Sequence, residues 1–128
     1  IYDQACPLLV PLVEEGWIGK PETNKILKKY LLPLKIKKID TLILGCTHYP
    51  LMMKDVERII GKNVKVINTA VAVAEKLKDY LKRHEEIEKK LEKNGKIIFY
   101  TTDEVNKFKE LGKRFLGQDI KEAKKAIL

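Results

Sequence analysis

The sequence predicts an α/β protein made of parallel-sheet βα units. Three short apolar runs each give way to a stretch with helical spacing. The runs are apolar at most positions, as in strands covered on both faces. Proline, glycine or a capping residue marks nearly every change from one element to the next.

Pro7 and Pro11 exclude a regular central strand after Cys6, although a helix can begin at Pro7. Residues 21–32 read as a helix, opened by Pro21 and ended by Pro33. The first strand is residues 39–44 (I-D-T-L-I-L). It ends in Gly45 and enters Cys46-Thr47-His48-Tyr49-Pro50. Pro50 suits the first turn of a helix, which continues through Leu51, Met52, Val56 and Ile59 and stops at Gly61. The second strand is residues 64–67, followed by Asn68-Thr69 and a long helix. That helix carries Val73, Leu77, Leu81, Ile87 and Leu91, and Asn94-Gly95 closes it. Residues 97–100 form the third strand. Thr102 or Asp103 then caps a helix bearing Val105, Phe108, Leu111 and Phe115. The basic tail, residues 121–128, reads as a short helix. Ligands of such sheets bind beyond the carboxyl ends of the strands. Three places therefore matter: residues 45–48, 68–69 and 101–103.

At 128 residues the chain fits one modest domain. With 45% hydrophobic and 34% charged residues its composition is that of a soluble globular protein, expected in the cytoplasm. It has no run of about 18 apolar residues to span a membrane, and no signal peptide is visible. Residues 1–10 already read as the interior of a fold, so further residues are expected upstream. The net charge of +8 is almost all lysine, since only Arg58, Arg83 and Arg114 are arginines. These lysines alternate with glutamates, as a solvated helix face does, and aromatics are not interleaved with them. Nucleic acid is therefore not the expected partner. Abundant Lys, Glu and Ile, with two Gln, resembles proteins from hot environments.

Cys6 and Cys46 are too few for a disulfide framework, so a reduced chain is expected. The sharpest feature is Gly45-Cys46-Thr47-His48-Tyr49-Pro50. A thiol between a strand end and a helix start faces unpaired N–H groups and the positive end of the helix dipole, which stabilise a thiolate. Gly45 allows close approach of a ligand. Thr47 offers a hydroxyl to an anionic group, the following N–H groups can cradle a carboxylate, and His48 can exchange a proton. Spacing alone leaves a buried structural cysteine open. Cys46, His48 and distant His84 do not make a metal ligand set. A phosphatase-type loop would need an arginine where Met52 stands.

Segment 5–14, Ala-Cys-Pro-Leu-Leu-Val-Pro-Leu-Val-Glu, resembles the stretch after the midpoint of glutamate racemases. Segment 42–51, Leu-Ile-Leu-Gly-Cys-Thr-His-Tyr-Pro-Leu, is similar to the second catalytic motif of that family. Segment 98–103, with Phe108 and Phe115-Leu116-Gly117, resembles its C-terminal strand and helix. All three occur in family order and cover essentially the whole chain.

The resemblance implies the aspartate/glutamate racemase fold, here incomplete, as the C-terminal portion of a two-domain enzyme. It implies cofactor-independent interconversion of L- and D-glutamate, supplying D-glutamate for peptidoglycan. Two thiols flank the α-carbon in that family; one removes the proton and the other returns one to the opposite face. Cys46 matches the thiol acting on the L-enantiomer, and His48 the histidine assisting it. Thr47 matches a carboxylate-holding residue, and Glu14 an acidic residue near the ammonium side. Cys6 matches a non-catalytic position. Residues 1–70 are expected in one α/β domain and residues 71–128 in a segment returning to the other.

The departures are three. The family's Asp-Ser-Gly segment and its other catalytic Cys-Asn-Thr are not in this chain, so the chain alone is expected to be inactive. Asn68-Thr69 stands where many members have Asp, and Thr101-Thr102-Asp103 where many have Thr-Gly-Asp. Expected partners are glutamate, the missing N-terminal half and, as the family often dimerises, a second copy. An aspartate racemase and a non-catalytic lysine-rich binding module remain the alternatives.

Overall fold

A computed structural model describes residues 1–127 and divides into two compact units, Ile1–Arg83 and a second beginning at His84. The first holds helices α1 (Leu9–Glu14) and α2 (Pro21–Ile36), strand β1 (Thr41–Ile43), and a 3-10 turn at Tyr49–Met52. Helix α3 (Met53–Ile60), strand β2 (Lys65–Ile67) and helix α4 (Thr69–Arg83) follow. Strands β1 and β2 pair in parallel, with Thr41 opposite Lys65 and Ile43 opposite Ile67. A parallel pair requires a crossover, and α3 supplies it.

The core of this unit lies where α2 packs on α3 and α1. In α2, Thr23, Leu27, Leu31 and Leu34 recur at helical spacing and are the residues it buries. The same unit buries Val13 of α1, Met52 of the 3-10 turn, and Val56 and Ile60 of α3, each at most 2% exposed. Fully burying one such apolar side chain stabilises by about 1.5–3 kcal/mol. Thr23 is the buried polar exception, and its Oγ1 donates to the Trp17 carbonyl at 2.8 Å. At the rim, Arg58 on α3 donates to Asn24 Oδ1 on α2 and to Asp55 Oδ1, both at 2.7 Å.

Two expected boundaries shift in this unit. Pro33 does not end α2, which runs on to Ile36. An interior proline costs a helix bond, but continuing by one residue carries Leu34 into the core, which offsets that cost. The helix expected from Pro50 is split into the 3-10 turn and α3 at Met52 (φ −102, ψ 15), whose side chain is 1% exposed. Helix α4 buries none of its residues, and Val71, Val73 and Leu77 are each more than half exposed.

The second unit contains the short helix α5 (Glu85–Glu88), strand β3 (Phe99–Thr101), helix α6 (Val105–Leu116) and strand β4 (Ala123–Lys125). Strands β3 and β4 are parallel, with Phe99 opposite Ala123. The long helix expected to reach Leu91 stops at Arg83, because His84 leaves helical geometry (φ −123, ψ 67). After the break only the single turn α5 is helical, and Ile87 and Leu91 stay exposed, so little packing extends the helix to Leu91. The cap of α6 is Glu104 rather than Thr102 or Asp103; its carboxylate accepts from the N–H groups of Asn106 and Lys107 at 3.1 and 3.2 Å. Gly117 closes α6 at φ 68, a left-handed conformation that favours glycine. The tail forms β4, not a helix, since pairing with β3 satisfies its backbone. Ile120 folds onto α6 at Gly112, where a Cβ would collide with the isoleucine side chain.

Candidate active site

The site begins at the end of β1. The chain leaves the strand at Ile43, buries Leu44, passes Gly45 and turns sharply at Cys46. Backbone bonds fix this turn: the Tyr49 N–H donates to the Cys46 carbonyl at 3.2 Å, and the Leu51 N–H to the His48 carbonyl at 3.1 Å. Thr69 Oγ1 donates to the Leu44 carbonyl at 3.2 Å, tying the strand end to the start of α4. Asn68 caps α4, its Oδ1 accepting from the N–H groups of Ala70 and Val71.

Within the turn, Cys46 and His48 are both half-buried, and Cys46 Sγ lies 3.8 Å from His48 Nδ1. The other ring nitrogen, Nε2, lies 3.5 Å from Glu14 Oε1 at the last position of α1. Three of the four expected site residues therefore form a line: carboxylate, imidazole, thiol. Such a line can move a proton to or from sulfur while the carboxylate holds the ring's orientation and tautomer. Thr47, the fourth, sits between Cys46 and His48 in sequence and is exposed.

Tyr49 was not singled out by its residue type, yet it joins the two cysteine segments. It follows Cys46 in the turn, and its hydroxyl donates to the Cys6 carbonyl at 3.4 Å, 43 residues away. Burial, then the charges of the Cys6 and Cys46 thiolates, push the phenol above its usual pKa. The only sequence signal was its place in a catalytic-type motif. Cys6 is half-buried, its thiol donates to the Gln4 carbonyl at 3.4 Å, and burial pushes its pKa up. Among the described residues no three His, Cys, Asp or Glu side chains cluster as a metal site, and no helix is long and apolar enough to cross a membrane.

No family model matches the chain. Curated proteins do. The glutamate racemase of Thermoanaerobacter sp. (strain X514) is 39% identical over 120 residues, which is 94% of this chain and 45% of that protein. Among solved structures, a glutamate racemase isoform from Bacillus anthracis superposes with a TM-score of 0.81 at 36% identity, over 98% of this chain and 46% of that one. The glutamate racemase of Francisella tularensis, solved with D-glutamate, gives 0.81 at 31% identity, over 99% and 46%. The chain thus spans about half the length of the curated relatives it matches.

Proposed function

Because this chain corresponds in sequence and fold to the C-terminal half of glutamate racemases, we propose that it supplies one side of the active site of such an enzyme. Its substrate is glutamate, and Cys46 is the thiol working on the L-enantiomer. The observation that carries this reading is the line from Glu14 through His48 to Cys46 at 3.5 and 3.8 Å.

The chemistry follows from the difficulty of the step. An α-proton beside a carboxylate is weakly acidic, so its removal needs a positioned base and stabilisation of the charge that grows on the carboxylate. In the L-to-D direction the Cys46 thiolate takes the α-proton; the C–H bond breaks and an S–H bond forms. A second thiol, from the half not spanned here, gives its proton to the opposite face of the carbanion. His48 moves the proton at Cys46, and Glu14 orients the ring while facing the substrate's ammonium group. Thr47 holds the substrate carboxylate. No cofactor takes part, the product D-glutamate serves peptidoglycan synthesis, and the whole enzyme works in the cytoplasm as a dimer. Within it, residues 1–70 belong to one domain and residues 71–128 return to the other.

The test is exchange of the α-proton of L- and D-glutamate in D2O, followed by NMR. The chain alone is expected to give no racemisation and at most slow, one-sided exchange of L-glutamate, abolished by Cys46→Ala. Inversion by the chain alone would overturn the two-thiol assignment and return Cys6 to consideration. Equal or faster exchange of aspartate would move the substrate to the shorter acid.

A further inference from the structure

We infer that Thr69 is a positioning residue for the Cys46 thiol: its hydroxyl clamps the peptide between Leu44 and Gly45 and so fixes where the Cys46 turn leaves β1. The inference rests on the reading above, in which Cys46 takes the α-proton of L-glutamate.

Along a strand, alternate carbonyls face the same neighbour. The Lys65 N–H donates to the Asp40 carbonyl at 2.7 Å, and Thr41 to Ile43 lie opposite Lys65 to Ile67 in parallel register. The carbonyls of Asp40, Leu42 and Leu44 therefore face β2, and the register assigns them to residues 65, 67 and 69. By residue 69 the chain has left the strand and begun α4. The Leu44 carbonyl instead accepts from the side chain of that residue, Thr69 Oγ1, at 3.2 Å. A backbone N–H could come from almost any residue type; a short hydroxyl makes this rung depend on Thr or Ser.

The rung sits beside the one loose joint of the site. Burial of the Leu44 side chain anchors that residue but not the plane of the peptide that follows it. Such a plane can swing by opposed rotations on either side of it, and glycine is the residue that permits this most freely. Gly45 is exposed, and a Cβ there would meet only open space. Beyond the joint the turn is tied to itself, by the Tyr49 N–H on the Cys46 carbonyl and the Leu51 N–H on the His48 carbonyl. Thiol and imidazole therefore move together about Gly45 and keep their 3.8 Å separation. What the joint sets is where this pair stands relative to the substrate and to Glu14, which approaches His48 Nε2 from α1 at 3.5 Å. Thr69 holds the joint from a firm base. It follows the paired end of β2 by two residues, and Asn68 between them accepts from the N–H groups of Ala70 and Val71. Proton transfer demands close placement of the reacting atoms, so a swing of this plane reaches the chemistry.

The test compares Thr69→Val, which keeps the branched shape and loses the donor, with Thr69→Ser, which keeps the donor. Alkylation by iodoacetamide at pH 8.5, followed on this chain by peptide mass spectrometry, reads Cys46 and carries its own reference in Cys6. Thr69→Val should speed alkylation of the half-buried Cys46 roughly threefold or more and leave that of Cys6 unchanged, because only the clamped turn opens. Thr69→Ser should restore the original rate. In the assembled enzyme, Thr69→Val should lower kcat for L-glutamate roughly tenfold with little change in KM. An unchanged Cys46 rate in Thr69→Val would overturn the inference. So would equal acceleration at both cysteines, which reports general loosening, or failure of Thr69→Ser to restore the rate. A loss confined to KM would make Thr69 a binding residue and overturn it too. Selective opening at Cys46 in an assembly that never exchanges the α-proton keeps the clamp and removes the racemase reading. Full racemisation by Thr69→Val does the reverse.

Discussion

Cys46 Sγ and His48 Nδ1 lie 3.8 Å apart, two residues from each other on a turn whose backbone bonds leave it little freedom. The relationship is directional because the far ring nitrogen is engaged by Glu14 at 3.5 Å. With Nε2–H donating to the carboxylate, Nδ1 is left as the acceptor facing sulfur, which is the tautomer a proton acceptor from a thiol requires.

Replacing His48 should therefore affect the chemical step more than binding. In the assembled enzyme, His48→Asn is expected to lower kcat for L-glutamate by about 10²- to 10⁴-fold, the usual worth of a general acid–base. Glu14→Gln keeps an acceptor for Nε2–H but loses the charge, and should cost roughly tenfold. Steady-state kinetics in both directions check this; a change confined to KM would contradict the proton-transfer role.

Thr23 provides a test within the core. Its hydroxyl is fully buried and donates to the Trp17 carbonyl at 2.8 Å. Thr23→Val keeps the shape and removes one of two donors to that carbonyl, which still accepts from the Lys20 N–H at 3.1 Å, at an expected cost of about 0.5–1.5 kcal/mol. Urea titration of the first unit should show a lower midpoint at unchanged slope.

Gly112 makes a sharper demand on the second unit. A Cβ there meets the end of the Ile120 side chain, which is 7% exposed. Gly112→Ala should be tolerated by rotation of the isoleucine at about 1 kcal/mol, whereas Gly112→Val should displace Ile120 and cost about 1–3 kcal/mol. Protection of α6 amides against exchange measures both.

Cys6 supplies the pH dependence. Burial raises its thiol above the ordinary 9.0. The folded pKa is thus higher than the unfolded one, so the contribution to stability is complete below about 9 and is lost as pH rises through the raised value. Alkylation of Cys6 by iodoacetamide at pH 8.5 should lag behind that of free glutathione. Denaturation midpoints between pH 8 and 10.5 should fall less steeply in Cys6→Ala than in the unsubstituted chain.

Much of the fold was legible because periodicity reports burial directly. The parallel βα units, the course of α3 toward Gly61 and the core face of α2 follow from where apolar residues recur. The Cys46 turn was legible because strand, glycine and proline bracket it. What failed depended on partners distant in sequence. Pro33 reads as a helix end until Leu34 is seen to bury beyond it. Ala123-Lys124-Lys125 has no strand propensity and becomes β4 only against Phe99-Tyr100-Thr101. Glu104 is an unusual cap, chosen by geometry over the better residues before it. In the site, residue types pointed to Cys46 and His48. The approach of Glu14 to the ring and of Tyr49 to Cys6 spans tens of residues, which no local pattern encodes.

The distribution of buried side chains has a calorimetric consequence. Among the described residues, Ile120 is the one buried apolar side chain of the second unit, while nine others lie in the first. Unfolding enthalpy and heat capacity scale with the surface released. A thermogram of this chain should be dominated by a peak from residues 1–83, with residues 84–127 adding a broad, shallow shoulder. A midpoint read from that peak describes the first unit, and two-state arithmetic applied to the whole curve would assign its cooperativity to a segment that does not share it.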